Sequence, residues 1–236
     1  MAHKRVLLKL SGEAFAGESQ QGLSAERLIA VAKDIQEAAA KGVQIAVVVG
    51  GGNFLRGASV SNEVISRTTA DHMGMLGTIL NGLALRDALE SINLKTALFS
   101  ALAVQGVAEG FDYRKAIYSL QQGHVVIFAG GTGNPFVTTD STASLRAIEI
   151  NADVILKATK VDGVYTADPK KDPNAKRYDK LSFDEALQKE LAVMDLAAFC
   201  QCRDYNISIR VFNLFKQGAL ARALNGADEG TLVTRE

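Results

Sequence analysis

Tryptophan is absent from this 236-residue sequence, and cysteine and proline are scarce, at two and three residues. Cys200 and Cys202 stand two positions apart, which cannot staple a chain of this length; a disulfide scaffold is excluded, and a reducing compartment fits. They are also too few for a structural zinc site and read as ordinary thiols. Charge of one sign is not in excess, because 26 Lys and Arg balance 26 Asp and Glu. That balance argues against gripping long nucleic acid by counterion release, although a few placed donors would still hold a small anion. No run of about 18 uninterrupted apolar residues occurs, so no membrane-spanning helix is expected. The first ten residues lack an apolar stretch of signal-peptide length, and the expectation is a cytoplasmic protein with no membrane partner.

What is present fits a globular chain. With 47% hydrophobic and 22% charged residues, enough apolar surface exists to offset chain entropy, and the length suits one compact domain or two small ones. Short β-branched runs recur at 6–10, 43–49, 96–99, 125–128, 154–156 and 207–212. Most are continuously apolar, as strands covered on both faces of a parallel sheet are. Between them lie helical patterns. Ser24 can cap a helix whose stripe is Leu28, Ala32, Ile35 and Ala39, ending near Lys41-Gly42. A long stretch over 69–89 reads as one helix or a broken pair, and 113–120 and 142–150 read as two more. Strand and helix in alternation predict an α/β fold, a three-layer αβα sandwich around a mostly parallel central sheet. The polar segment 167–173, with two of the three prolines, is the clearest surface loop.

In such sheets ligands bind beyond the carboxyl ends of the strands, where helix N-termini favour anions. Three predicted strands end in glycine: Lys9-Leu10-Ser11-Gly12, Gly50-Gly51-Gly52-Asn53 and Gly130-Gly131-Thr132-Gly133-Asn134-Pro135. One such turn would be weak evidence. Three, each beside Lys, Arg or hydroxyl side chains, point to phosphate, which the backbone can approach closely only where Cβ is absent. The common phosphate motifs are missing: there is no G-x-x-x-x-G-K-[ST], and Phe136 stands where a dinucleotide fingerprint needs a small residue.

Individual residues have competing readings. Lys9 lies in an otherwise apolar strand, so it is either at the strand's exposed end or paired at a site. Arg56, just past three glycines, favours an anion. Asp140 precedes a helix and could serve as its N-cap. His72 reads as structural, and Met73-Gly74-Met75-Leu76 as packing at a helix–helix or subunit contact.

Over about 4–231 these motifs resemble the bacterial uridylate kinases of the amino-acid kinase superfamily. Lys157-Ala158-Thr159-Lys160-Val161-Asp162-Gly163-Val164-Tyr165-Thr166-Ala167-Asp168-Pro169 matches the superfamily's nucleotide half. Asp71-His72-Met73-Gly74-Met75 and Thr132-Gly133-Asn134-Pro135-Phe136 match the uridylate branch. The resemblance implies ATP + UMP → ADP + UDP with Mg²⁺ in pyrimidine nucleotide synthesis, in a single kinase domain. The acceptor would sit on the N-terminal half, about 1–150, and ATP on the C-terminal half, about 151–236. By the same resemblance Lys9, Leu10, Ser11, Gly12, Gly52, Arg56, Thr159, Tyr165 and Asp168 hold ATP. Gly51, Asp71, Thr132, Gly133, Asn134, Pro135, Phe136, Val137, Thr138 and Thr139 hold UMP. Lys9 and Arg56 would stabilise transition-state charge, and Asp140 would orient Lys9 or the metal shell, with Asp195 a weaker candidate. Mg²⁺ would ride on the ATP phosphates, with no protein metal site. Gly17, Glu18, Ser19, Gln20, Gln21 and Gly22 lie where relatives respond to GTP; a GTP activator, a UTP inhibitor and a homohexamer are family-level expectations. Asn53-Phe54-Leu55-Arg56 departs from the family's usual Asn-Leu-Phe-Arg by a volume-conserving swap.

The chemistry agrees. A phosphate monoester is largely dianionic at neutral pH, so the acceptor oxygen needs no general base. Two anions must be aligned and their charge stabilised, which calls for the cations and amides present. Two rivals remain: a superfamily member acting on a carboxylate or carbamate, and a nucleotide-sensing regulator on the same fold.

Overall fold

The computed structural model describes residues 3–17, 21–55, 64–167, 169, 171–172, 174–191 and 193–235. Strand β1 (Arg5–Leu10) is continuously apolar apart from its two cations, and β2 (Gln44–Val49) pairs with it in parallel, Leu8 opposite Val47. Between them runs α1 (Ala25–Ala40), capped as expected by the Ser24 hydroxyl accepting from the Arg27 amide. Its buried stripe is Leu28, Val31, Ala32, Ile35 and Ala38. Ala39, the last residue of the expected stripe, is partly buried against the same core. The stretch expected as one helix or a broken pair is the single α2 (Arg67–Ser91).

The chain continues through β3 (Thr96–Ser100), β4 (Glu109–Gly110), α3 (Tyr113–Gln121), β5 (Val125–Ala129), α4 (Thr139–Glu149) and β6 (Val154–Thr159). It then forms β7 (Lys180–Ser182), α5 (Phe183–Gln188), α6 (Leu196–Asp204), β8 (Ser208–Asn213), α7 (Ala219–Leu224) and β9 (Thr231–Thr234). Among the described residues these strands make one nine-stranded sheet, ordered β4-β3-β5-β2-β1-β6-β8-β9-β7, parallel except where β9 runs against β8.

Side chains alternate along the buried strands, so each face has its own core. Val6, Leu8 and Leu10 of β1 pack with α1, α2 and α7; Leu7 packs with α3, α4, α5 and α6 on the other side. This is the expected three-layer sandwich. β1 lies at the middle, with β2 on one side and β6 on the other, so the chain winds both ways from it. A crevice opens at that switch point, above the carboxyl ends of β1, β2 and β5.

Candidate active site

Alternation decides what β1 brings to the crevice. Lys9 points to the same face as Leu7, toward α4, and on the neighbouring strand Lys157 stands directly opposite it in the parallel register. Both ammonium groups reach Asp140 in the first turn of α4, Lys9 Nζ at 2.9 Å from Oδ1 and Lys157 Nζ at 2.6 Å from Oδ2. Lys157 also donates to the Val193 carbonyl at 2.7 Å. None of the three side chains is more than 14% exposed. Burial pushes Asp140 up, but the facing Lys9 and Lys157 charges outweigh it and hold the carboxyl below its usual range. Burial lowers Lys157, against the opposing pull of Asp140. Of the two readings open for Lys9, pairing at a site is the one observed.

The N-cap of α4 is Thr138, not Asp140: its hydroxyl accepts from the Asp140 and Ser141 amides at 3.1 and 3.2 Å and donates to Asp195. The helix therefore begins three residues earlier than the sequence indicated, and Asp140, now inside its first turn, is released to face the lysines. Asp195 caps α6 through the Ala198 amide at 3.0 Å and receives the Ser141 hydroxyl at 3.0 Å. It ties two helix N-termini together.

The glycine turns after β1 and β2 are in contact. Gly50 donates to the Leu10 carbonyl at 2.8 Å, and a Cβ on Gly12 would lie 2.2 Å from Asn53 Oδ1 and 2.7 Å from the Gly52 nitrogen. Beneath them the buried amides of Asn53 and Asn81 donate to each other, at 3.0 and 2.7 Å. Asn81 also holds the Gly50 carbonyl at 2.6 Å and Asn53 the Gly22 carbonyl at 2.7 Å. One face of α2 supports the turns after β2 and β5. Gly74 comes so close that a Cβ on Gly51 would meet its carbonyl at 2.5 Å. Thr78 accepts from the Gly130 amide at 2.7 Å. Asp71 accepts from the Phe136 amide at 2.8 Å and from Arg67 at 2.9 Å. Those two donors overcome burial and keep the Asp71 carboxyl below its usual value. Phe136 takes the left-handed conformation, φ 66°, to make that bond.

The result is a cleft of about 560 Å³, within the range of small-molecule sites. Ser11, Gly12, Gly51, Gly52, Asp71, Val137, Thr138 and Thr139 line it. Lys9 is buried and Asp140 largely buried beside these walls, and Thr132, Gly133, Asn134, Pro135 and Phe136 form the turn that reaches Asp71. Leu10 packs its side chain in the core. Thr159 and Tyr165 are outside the cleft wall, bonded to Val161 at 2.7 Å and to Asp162 at 2.7 Å. Arg56, Asp168, Glu18, Ser19 and Gln20 lie outside the described residues. Gly22, at the end of the segment compared with GTP-responsive loops, is bonded to Asn53.

Three residues that sequence reasoning passed over take part. Thr78 and Asn81 carried no signal beyond polarity on a long apolar helix. Lys157 did carry one, the same as Lys9: a cation in an apolar strand. It was missed because the β-branched run ends at Leu156, three residues before β6 does.

Three carboxylates in or beneath the cleft have cation partners: Asp140 with two lysines, Asp71 with Arg67, and Glu13 with Lys160 at 2.9 Å. Among the described residues no group of three His, Cys, Asp or Glu is arranged for a metal.

The chain is similar over nearly its whole length to known proteins. The model of the amino acid kinase family matches residues 4–213. A uridylate kinase of Coxiella burnetii (strain RSA 493 / Nine Mile phase I) is 60% identical over 231 residues, covering 98% of this chain and 95% of the relative. A uridylate kinase of Pseudomonas aeruginosa (strain UCBPP-PA14) is 55% identical over 98% of this chain and 94% of its own length. Among solved structures, UMP kinase from Bacillus anthracis superposes with a TM-score of 0.96 at 40% identity, covering 100% of this chain and 98% of that one.

Proposed function

The chain belongs to the amino acid kinase family, and from its uridylate kinase relatives and the cleft we infer that it transfers a phosphoryl group from ATP to UMP. It is a nucleoside monophosphate kinase. The observation that carries the reading is the meeting of two anion cradles in one cleft. The glycine turns after β1 and β2, with Lys9, face the capped N-terminus of α4 at Thr138 and Thr139.

In this reading the terminal phosphates of ATP rest on the Ser11-Gly12 and Gly52 backbone beside Lys9. The UMP phosphate lies against Thr138, Thr139 and the α4 N-terminus, whose dipole favours it. Asp71, fixed by Arg67 and the Phe136 amide, is set to bond the ribose. The UMP phosphate attacks as a dianion, so no base is needed, and catalysis consists of alignment and charge stabilisation. Lys9 supplies stabilising charge, and Asp140 fixes where its ammonium stands. Arg56 is assigned to the same task from its place after the second glycine turn. The acceptor half is about 1–150. The ATP half, about 151–236, includes Thr159, Tyr165 and Asp168, which would hold nucleotide beyond the cleft. ATP enters as its Mg²⁺ complex, in keeping with a cleft whose carboxylates are already paired.

We further propose a role in pyrimidine nucleotide synthesis in the cytoplasm; no helix among the described residues is long and apolar enough to cross a membrane. A homohexamer is proposed with GTP as activator and UTP as inhibitor. Support for subunit contact comes from Met73, Leu76 and Leu80, exposed at helical spacing on the outer face of α2. The hydrogen bonds between Gly22 and Asn53 offer an effector near 17–22 a route to the second glycine turn. A coupled ADP-release assay with UMP, CMP, dTMP, carbamate and N-acetylglutamate tests the assignment. UMP should be turned over at least tenfold faster than any other acceptor; preference for carbamate or a carboxylate would replace it.

A further inference from the structure

Lys157 is a largely buried cation to which the assignment above gives no task. It is costly, since an ammonium in a strand core loses hydration, yet two acceptors are arranged for it, Asp140 at 2.6 Å and the Val193 carbonyl at 2.7 Å. Lys9 shares the carboxylate through its other oxygen. If Asp140 faced Lys9 alone, a carboxylate 2.9 Å away would cancel most of the field that the ammonium exerts on an incoming anion. With Lys157 present, two ammonium groups flank the one carboxylate that both contact, and this triad stays positive by one unit; Asp195 also acts on Lys157, but it lies outside the triad, bonded to Thr138 and Ser141. The division of donors agrees. An ammonium has three donors; Lys157 commits to both Asp140 and Val193, whereas among the described residues the partner of Lys9 is Asp140.

We propose that Lys157 is a positioning residue that neutralises Asp140, so that Lys9 is held in place by the carboxylate and still presents its charge to phosphate. Its effect on turnover rests on the phosphoryl-transfer reading, but its effect on anion binding does not. A purely structural tie between β6 and α4 would depend on the bonds of Lys157 and not on the sum of charges, and the two can be separated.

The experiment measures calorimetric binding of inorganic tripolyphosphate, together with kcat and KM for UMP, in the full chain. The variants are Lys157→Gln, Asp140→Asn and the double variant. Gln keeps a donor for Val193 or Asp140 while removing the charge. Lys157→Gln should weaken tripolyphosphate about tenfold and lower kcat on the order of 30-fold, the size expected for one charge acting through an effective dielectric of about 20. Its UMP KM should stay within about threefold. Asp140→Asn should tighten tripolyphosphate, and the double variant should return to within about threefold of wild type in binding and exceed Lys157→Gln in kcat. If Gln prevents folding by thermal unfolding, Lys157→Met, which keeps the stem, carries the same expectations. The proposal is overturned if the Lys157 variant binds and turns over within threefold of wild type, or if adding Asp140→Asn gives no recovery. Wild-type protein that shows the binding pattern but forms no UDP would sink the functional reading alone.

Discussion

Replacing Gly12 by Ala tests how tightly the two glycine turns are set against each other. Gly12 does not have positive φ, so the cost of a side chain there is steric. The added Cβ would sit 2.7 Å from the Gly52 nitrogen and 2.8 Å from the Asn53 nitrogen, where ordinary contact begins at 3.4 Å. The turns after β1 and β2 must therefore separate by about 0.6 Å. Neither can yield freely, because Gly50 is bonded to Leu10 and to Asn81 from below. Overpacking of this kind costs about 1–3 kcal/mol in stability, which lowers Tm by several degrees in a chain of this size. The larger consequence is catalytic, since misplacement on the order of 1 Å costs about 10²-fold in an aligned transfer. Initial rates of ADP formation at saturating UMP should fall on the order of 10- to 100-fold in Gly12→Ala. Gly110→Ala, where a Cβ meets nothing within 4 Å, is the control and should match wild type. Removing the nearest obstacle, Asn53 Oδ1 at 2.2 Å, by adding Asn53→Ala should restore little, because the backbone contacts remain. A Gly12→Ala protein within about threefold of wild type would refute the claim that these turns form one rigid cradle.

Lys9→Ala should lower kcat by on the order of 10² or more with a modest change in UMP KM, as loss of a transition-state contact does; steady-state kinetics with near-wild-type turnover would remove Lys9 from the mechanism. Asp71→Ala should raise the KM for UMP more than it lowers kcat, and the reverse split would count against a ribose contact. Acid stability offers a test away from the cleft. Burial pushes Glu229 up, but its bonds to Lys216 and Arg222, each 2.7 Å, outweigh that and hold it below its usual value. A depressed carboxyl stabilises the fold at pH above its unfolded value, about 4.5, and that contribution disappears as pH falls through the folded value. Urea unfolding between pH 5 and 3 should therefore show a shallower loss in Glu229→Gln than in wild type; parallel slopes would contradict the sign.

The layers of the fold were legible because burial on both sides of a parallel sheet leaves a continuous apolar run, and β1, β2 and β5 announce themselves in that way. Strands β4, β7 and β9 and helices α5 to α7 were not, since two to nine residues contain too little periodicity, and the strands are held by pairing at the far ends of the sheet. Within the site, glycine marked the cradles, but nothing local told which side chain would cap α4. Thr138 and Asp140 are both good caps, and the choice was made by the lysines across the crevice, which need the carboxylate. Thr78 and Asn81 have a task only because α2 lies under two turns distant in sequence, those after β2 and β5. Thr159 and Tyr165 came from resemblance, and the structure puts both outside the cleft wall, bonded to Val161 and Asp162.

The central claim is that one cleft aligns two phosphates, and a crystal structure with UMP and a non-hydrolysable ATP analogue bound together tests it most directly. The UMP phosphate should lie against Thr138 and Thr139, and the terminal phosphate of the analogue against Gly12 and Lys9, with the acceptor oxygen in line. Nucleotides bound elsewhere, or phosphates on opposite sides of the sheet, would contradict it.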